Sequence, residues 1–222
     1  MKLKGKILKI TCDGGAATGK STGAKLVAKK YNLAFLSSGL LYRYAGFLIL
    51  KQKPKKKIDF LKKKFKNLNY KKLNKLNLHT PEISIQTSII AKNLKVRNIL
   101  KSYQKDFIKK NKCCVLEGRD ASTKILPSSD VKFFFVCNLN VAARRRFNEL
   151  KKKSTKINYN EVKRALFDRN LMDRSRSISP LQKHPDAIVV NTTKKGIKAM
   201  VAKMSKYIEK VLKQKYGNRT RS

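Results

Sequence analysis

The stretch from Ile10 to Thr22, ITCDGGAATGKST, constrains the fold more than any other part of the chain. Within it Gly14, Gly15, Ala16, Ala17, Thr18, Gly19, Lys20 and Ser21 fit the spacing G-x-x-x-x-G-K-[ST]. Glycines at this spacing allow a backbone turn whose N–H groups point inward at phosphate oxygens, and the N-terminus of a following helix adds a favourable dipole. A lysine in the place of Lys20 reaches the outer phosphates, and the hydroxyl of Ser21 can ligate Mg²⁺. The flanks supply the context that the motif needs. An apolar run, Ile7 to Thr11, reads as a buried strand before it, and Gly19 to Lys30 has helical periodicity after it. Gly14 to Thr22 is therefore the expected seat of a nucleoside triphosphate, although the loop alone does not say which reaction follows.

The same reading continues along the chain. Cys113 to Leu116, Val131 to Val136 and Ala187 to Val190 read as further strands. Helical periodicity marks Leu40 to Leu50, Ser84 to Lys109, Val141 to Lys153, Tyr159 to Asp173 and Lys195 to Lys213. Strands alternating with helices predict an α/β fold, a parallel sheet flanked by helices on both faces. Lys51 to Leu78 differs, being rich in lysine and asparagine with Pro54 near its start, and reads as an insertion in which Phe65 to Tyr70 and Leu73 to Leu78 could form small strands. A loose tail is expected from Tyr216 to Ser222.

At 222 residues, one domain with an insertion is the default. The formal charge of +42, from 55 Lys+Arg against 13 Asp+Glu, has two readings. Because the excess is mostly lysine spread over the whole length, with many Asn and Ile, it matches the codon usage of an AT-rich genome; alternatively it serves polyanion binding. Cys12, Cys113, Cys114 and Cys137 have no CxxC spacing and no nearby histidine, so neither zinc nor disulfides are expected. The longest apolar region, Leu33 to Leu50, is interrupted by Ser37, Ser38 and Arg43, short of the roughly 18 residues of a membrane span. A soluble, cytoplasmic protein is expected.

Three clusters could form a second half of the site. Ser37 to Arg43, SSGLLYR, reads as a helix start with a capping serine and an arginine one turn in. Glu117-Gly118-Arg119-Asp120 directly follows a predicted strand, and ligands of open α/β sheets lie at the carboxyl ends of strands. Arg169, Asp173 and Arg176 share one helix face if the helix extends so far, either as a salt-bridge ladder or as a phosphate clamp with an acid for a sugar hydroxyl.

Taken in order, the phosphate loop, SGLLYR, VRNILKSYQ from Val96 to Gln104, GRD from Gly118 to Asp120, and RNLMDRSRSISPL from Arg169 to Leu181 give the chain a resemblance to the bacterial cytidylate kinases over nearly its full length. These are P-loop nucleoside monophosphate kinases that phosphorylate CMP and dCMP with ATP. The resemblance implies a P-loop core of about residues 1–50 and 112–222, a mobile NMP-binding insert of about 51–111 and a short lid of about 144–156, whose closure excludes water. It also implies ATP bound by Gly14 to Thr22, Mg²⁺ at Ser21, and catalysis by Lys20, Arg169 and Arg176. CMP would be held by Ser38, Arg43, Arg119, Arg169 and Arg176 around its phosphate and sugar and by Asp173 on the ribose hydroxyls. Ser88, Arg97 and Asp120 would read the cytosine. A monomer without a specific nucleic-acid partner is implied.

The chain departs from the family pattern at Ser37 (usually aspartate), Ser122 (glycine), Ala17 (glycine), Asn170 (aspartate) and Ala142 (arginine). Ser122 is expected to stiffen or crowd the turn after GRD, and Asn170 to weaken the helix ladder. Competing classes are a P-loop kinase for UMP, AMP, dTMP or shikimate, and an RNA-associated protein with a relic loop, against which the intact Lys20-Ser21 pair speaks.

Overall fold

A computed structural model of the protein describes residues 5–152 and 157–217. The chain falls into two compact units: the residues up to Leu36 together with those from Asn111 onward, and Ser37–Lys110. Five strands, β1 (Leu8–Gly14), β2 (Ala34–Ser37), β3 (Cys113–Gly118), β4 (Val131–Val136) and β5 (Ile188–Asn191), form one sheet in the order β2-β3-β1-β4-β5. Among the described residues the α-helices are α1 (Lys20–Tyr31), α2 (Ser38–Gln52), α3 (Lys57–Lys66), α4 (Pro81–Ile90), α5 (Leu94–Lys110), α6 (Leu139–Lys151), α7 (Tyr159–Ser175) and α8 (Ile197–Tyr216).

β1 pairs in parallel with β3 on one side and β4 on the other, and β4 in parallel with β5. The register sets Asp13 beside Gly118 and Gly14 beside Phe135, so the carboxyl ends of three strands share one row. In open α/β sheets that row is where ligands sit. β1 is buried along almost its whole length, with Lys9 alone of intermediate exposure, as befits a strand covered on both faces. α1 buries Ala24, Val27, Ala28 and Tyr31, spaced as one helix face, and α8 buries Met200, Met204, Ile208 and Leu212. These side chains join Leu8, Ile10, Phe133, Phe135 and Val190 in one core. Full burial of each large member contributes about 1.5–3 kcal/mol.

Expected and observed strands agree to within a few residues at β1, β3, β4 and β5. β2 has no counterpart among the expected strands, because its four residues open the mostly apolar region that leads into α2. The single helix expected over Ser84 to Lys109 is two helices, broken at residues 91–93, where the Asn93 side chain accepts from the Val96 N–H at 3.1 Å and starts α5. The small strands expected between Phe65 and Leu78 are absent. The segment instead forms α3 and a 3-10 helix at Tyr70–Lys75. Leu61 and Phe65, four residues apart, are buried on one face of α3, and the Phe65 ring packs edge-on against Tyr44 at 5.8 Å and Tyr103 at 6.2 Å. Tyr216 is not part of a tail: it ends α8, and its hydroxyl accepts from Ile7 N at 2.8 Å and donates to Ile7 O at 3.0 Å. Residues 218–222 of the expected tail, and residues 153–156 of the expected lid, lie outside the described residues.

Candidate active site

The loop between β1 and α1 folds as its glycines require. Gly14 has φ +151°, and a Cβ there would lie 2.5 Å from the Phe135 carbonyl oxygen. Gly19, at φ +81°, opens α1. Ala17 adopts φ +56° without being glycine, a left-handed conformation that costs an L residue about 1–2 kcal/mol. Inside the loop the Thr18 hydroxyl donates to the Gly15 carbonyl at 3.0 Å, and Lys20 Nζ donates to the same carbonyl at 3.0 Å. Among the described residues, two side chains from outside the loop bond the backbone of Ala16 and Thr18. Ala16 N–H donates to Asn170 Oδ1 at 2.9 Å, and the Thr192 hydroxyl donates to the Thr18 carbonyl at 2.9 Å. Ser21 and Thr22 are exposed.

Lys20 is buried and forms an ion pair with Glu117, at the end of β3, with 3.3 Å between the charged atoms. Burial, then the Arg119 guanidinium, pulls the Lys20 ammonium down to about 8 against the opposing pull of Glu117. Arg119 Nε donates to Asp173 Oδ2 at 2.8 Å. Arg176 Nη1 donates to Asp173 Oδ1 at 3.4 Å, and its Nε donates to the Ser179 carbonyl at 2.6 Å. α7 ends at Ser175, so Arg176 is its extended cap and still reaches Asp173. Burial alone would raise the Asp173 carboxyl, but Arg119, Arg169 and Arg176 together hold it below its usual range.

Arg169 is the unbalanced member of this group. Its Nε is buried without a hydrogen-bond partner among the described residues, and burial followed by the charge of Arg119 draws its guanidinium down to about 10. Four cations, Lys20, Arg119, Arg169 and Arg176, thus stand against two carboxylates, Glu117 and Asp173. A largely buried excess of positive charge beside the phosphate loop is matched by a polyanion.

The turn after β3 is fixed from β1. Asp13 accepts from Ala121 N at 2.8 Å, Ser122 N at 2.7 Å and Ser122 Oγ at 2.6 Å, and the neighbouring Asp120 is buried. Ser122 does not crowd this turn; it adds a bond to it. Asn170 does not belong to the ladder of Arg169, Asp173 and Arg176, since its side chain faces the loop instead. Ala142, where an arginine was expected, packs in a small apolar cluster with Ala16, Ala143 and Leu166.

The other four candidates stand in the Ser37–Lys110 unit. Ser37 caps α2, its hydroxyl accepting from Leu40 N at 3.3 Å, and Ser38 Oγ hydrogen-bonds Gln104 Oε1. Arg43 is buried and donates to the Leu78 carbonyl at 2.9 Å and to Ser84 Oγ at 3.0 Å. Ser88 Oγ donates to the Ser84 carbonyl at 3.2 Å. Arg97 donates to the Ala91 carbonyl at 3.2 Å and lies 5.5 Å from the Tyr42 ring centre.

Sequence reading does not single out Asp13 or Thr192 as positioning groups, and it gives Asn170 only as a departure. Their partners lie more than 100 residues away, where no local spacing signals them. Among the described residues no cluster of His, Cys, Asp and Glu is placed to hold a metal by itself, and no helix is long and apolar enough to cross a membrane.

Comparison with known proteins places the chain in a family. The model of the cytidylate kinase family matches residues 10–210. The cytidylate kinase of Thermosipho melanesiensis is 35% identical over 215 residues, covering 92% of this chain and 98% of that protein. That of Clostridium tetani is 34% identical over 224 residues, covering 96% and 98%. The crystal structure of shikimate kinase from Bacteroides thetaiotaomicron, 11% identical, superimposes with a TM-score of 0.50 over 92% of this chain and 99% of its own, which shows a shared fold. With the family model spanning most of the chain and relatives of this similarity covering nearly all of it, the chain belongs to the cytidylate kinase family.

Proposed function

We infer that the protein transfers the γ-phosphoryl group of ATP to CMP or dCMP, giving ADP and CDP or dCDP. Besides family membership, the observation that carries this reading is the buried cation group around Arg169, whose Nε lacks a partner, beside the phosphate loop. An oxygen of the CMP phosphate attacks the γ-phosphorus in line; the new O–P bond forms as the bond to the β-phosphate oxygen breaks, and ADP leaves with the electron pair. The phosphate nucleophile is already ionised near neutral pH, so no strong base is needed. Catalysis is therefore positioning and charge neutralisation.

In this reading the loop from Gly14 to Thr22 holds the ATP phosphates through its N–H groups other than that of Ala16, which donates to Asn170, and Lys20 bridges toward the transferred group. Arg169 and Arg176 neutralise charge on the phosphoryl oxygens, and with Ser38, Arg43 and Arg119 they hold the CMP phosphate and sugar. Asp173 accepts from the ribose hydroxyls. Ser88, Arg97 and Asp120 read the base, the carboxylate accepting from the exocyclic amine that separates cytosine from uracil. Ser21, exposed directly after Lys20, suits Mg²⁺ held jointly with phosphate oxygens, and the ion when bound supplies further charge neutralisation. Residues of about 51–111 serve as the acceptor-binding insert, and those of about 144–156 as a lid.

The experiment is ADP production from ATP and Mg²⁺ with CMP, dCMP, UMP, AMP and dTMP offered separately. Turnover with CMP and dCMP well above the rest is expected. Turnover led by another acceptor would redirect the assignment, and ATP binding without acceptor-dependent turnover would overturn it.

A further inference from the structure

Among the described residues, two side chains from outside the phosphate loop bond its backbone at Ala16 and Thr18, either side of its left-handed non-glycine residue. Asn170, on α7, accepts from Ala16 N–H at 2.9 Å. Thr192, just beyond β5, donates to the Thr18 carbonyl at 2.9 Å. Between them stands Ala17 at φ +56°. Thr192 is itself oriented: it is buried, Arg145 Nη1 donates to its hydroxyl at 3.1 Å, and Arg145 Nη2 donates to its carbonyl at 2.7 Å. The directions agree, since a hydroxyl that accepts from Arg145 has its own proton left to donate, and the Thr18 carbonyl at 2.9 Å is nearer than the Val136 carbonyl at 3.4 Å.

We propose that Asn170 and Thr192, the latter aimed by Arg145, form a two-point clamp that holds Ala17 in its left-handed conformation and so keeps the loop shaped for phosphate before nucleotide arrives. An alanine released at this position relaxes toward negative φ, because its Cβ crowds the following carbonyl. Such relaxation turns the adjoining peptide units and takes N–H groups off the phosphate oxygens. Glycine occupies this region about as readily as its mirror image and has less need of a clamp. Asn170 suits the task because its acceptor oxygen is neutral and adds no negative charge beside the triphosphate. Its amide oxygen also lies 3.1 Å from where a Gly15 Cβ would be, so the contact is close as well as directional. These are positioning residues, acting through the loop backbone.

The test is a double-mutant cycle. It rests on the functional reading that ATP binds at Gly14 to Thr22, and the acceptor assay on the unmodified protein shows beforehand that ATP is used. Asn170→Ala and Thr192→Val are each expected to weaken ATP, read as KM and as direct binding of ATP with Mg²⁺, about fivefold, the loss typical of one well-placed hydrogen bond. The KM for CMP is expected to change by less than about twofold. In the Ala17→Gly background the same substitutions are expected to cost about twofold or less. Thr192→Ser keeps the hydroxyl and is expected to retain most of the affinity, whereas Asn170→Asp keeps the acceptor oxygen but sets a negative charge beside the triphosphate and is expected to retain less; thermal unfolding of each variant checks that it is folded. Unchanged ATP affinity in both the Asn170→Ala and the Thr192→Val variants would overturn the clamp. So would equal losses with and without the Ala17→Gly substitution, or equal losses for ATP and CMP. An unmodified protein that binds no ATP would overturn the functional reading as well.

Discussion

Asp13 and Ser122 lie 109 residues apart in sequence, yet Asp13 Oδ2 accepts both the N–H of Ser122, at 2.7 Å, and its hydroxyl, at 2.6 Å. The bond pair ties the strand that feeds the phosphate loop to the turn that presents Arg119 and Asp120. Burial pushes the Asp13 carboxyl up from 3.8 to about 6, with the Ser122 hydroxyl and then the two backbone N–H groups pulling against it and Asp120 adding to the rise.

Ser122→Ala removes the strongest of those opposing pulls. Between 3.8 and about 6 the folded protein holds a proton on Asp13 that the unfolded chain has lost, so this group's contribution to stability falls as pH rises through that window and stays at its lower level above it. The variant's carboxyl titrates still higher, which widens the window upward and deepens the deficit at neutral pH. Thermal unfolding is expected to place the variant about 1.5–3 kcal/mol below the unmodified protein at pH 7, the range for a bond to a charged acceptor. The gap is expected to narrow near pH 4, where Asp13 is protonated in both folded proteins. A gap independent of pH would show that the Ser122 hydroxyl does not act on the Asp13 charge.

Arg169→Met should separate activity from stability. A cation whose guanidinium is drawn down to about 10 weakens the fold at every pH below that value. Asp173 remains paired with Arg119 and Arg176 in the variant, so no carboxylate is orphaned. Unfolding stability is expected to rise by on the order of 1 kcal/mol, and Tm by about 2–4 °C. kcat/KM is expected to fall by about 100-fold or more through the lost charge on the transferring phosphoryl group. Inorganic phosphate should stabilise the unmodified protein more than the variant.

How much of this is legible in the sequence follows from distance along the chain. The loop from Gly14 to Thr22, the acid near the end of β3 and the spacing of Asp173 and Arg176 are local patterns, and in the structure Arg176 pairs with Asp173. β2 is hidden because its three apolar residues and one serine lead into an apolar helix with no change of period. The break between α4 and α5 is hidden because Ala91 and Lys92 are ordinary helix formers, and only the Asn93 cap marks the restart. Asn170 and Thr192 could not be assigned to the loop at all, since their partners are 154 and 174 residues away.

Arg43 has a structural task in its own unit, whatever it does for substrate. Its guanidinium binds the Leu78 carbonyl and the Ser84 hydroxyl, joining α2 to the chain before α4 and to α4 itself. Arg43→Met removes the donors and strands the buried Leu78 carbonyl. A stability loss of about 1–3 kcal/mol is expected, the cost of an unsatisfied buried acceptor. Activity measured well below the variant's Tm should still fall, with a raised KM for CMP. Full CMP affinity in a merely destabilised protein would assign Arg43 to the fold alone.

Asp120 offers the sharpest test of base reading. A carboxylate at this position only accepts, which suits the exocyclic amine of cytosine and repels the carbonyl that uracil has there. Asp120→Asn keeps the size and the backbone start of the turn at Ala121–Ile125 while adding two N–H donors. The amide can turn either way, so it tolerates both bases. The ratio of kcat/KM for CMP over UMP is expected to fall by about 10-fold or more, the equivalent of one bidentate base contact. The KM for ATP is expected to stay within about twofold of its original value, because no ATP contact is removed. An unchanged CMP to UMP ratio, with the variant folded and ATP binding intact, would remove Asp120 from base recognition and leave Ser88 and Arg97 to account for it.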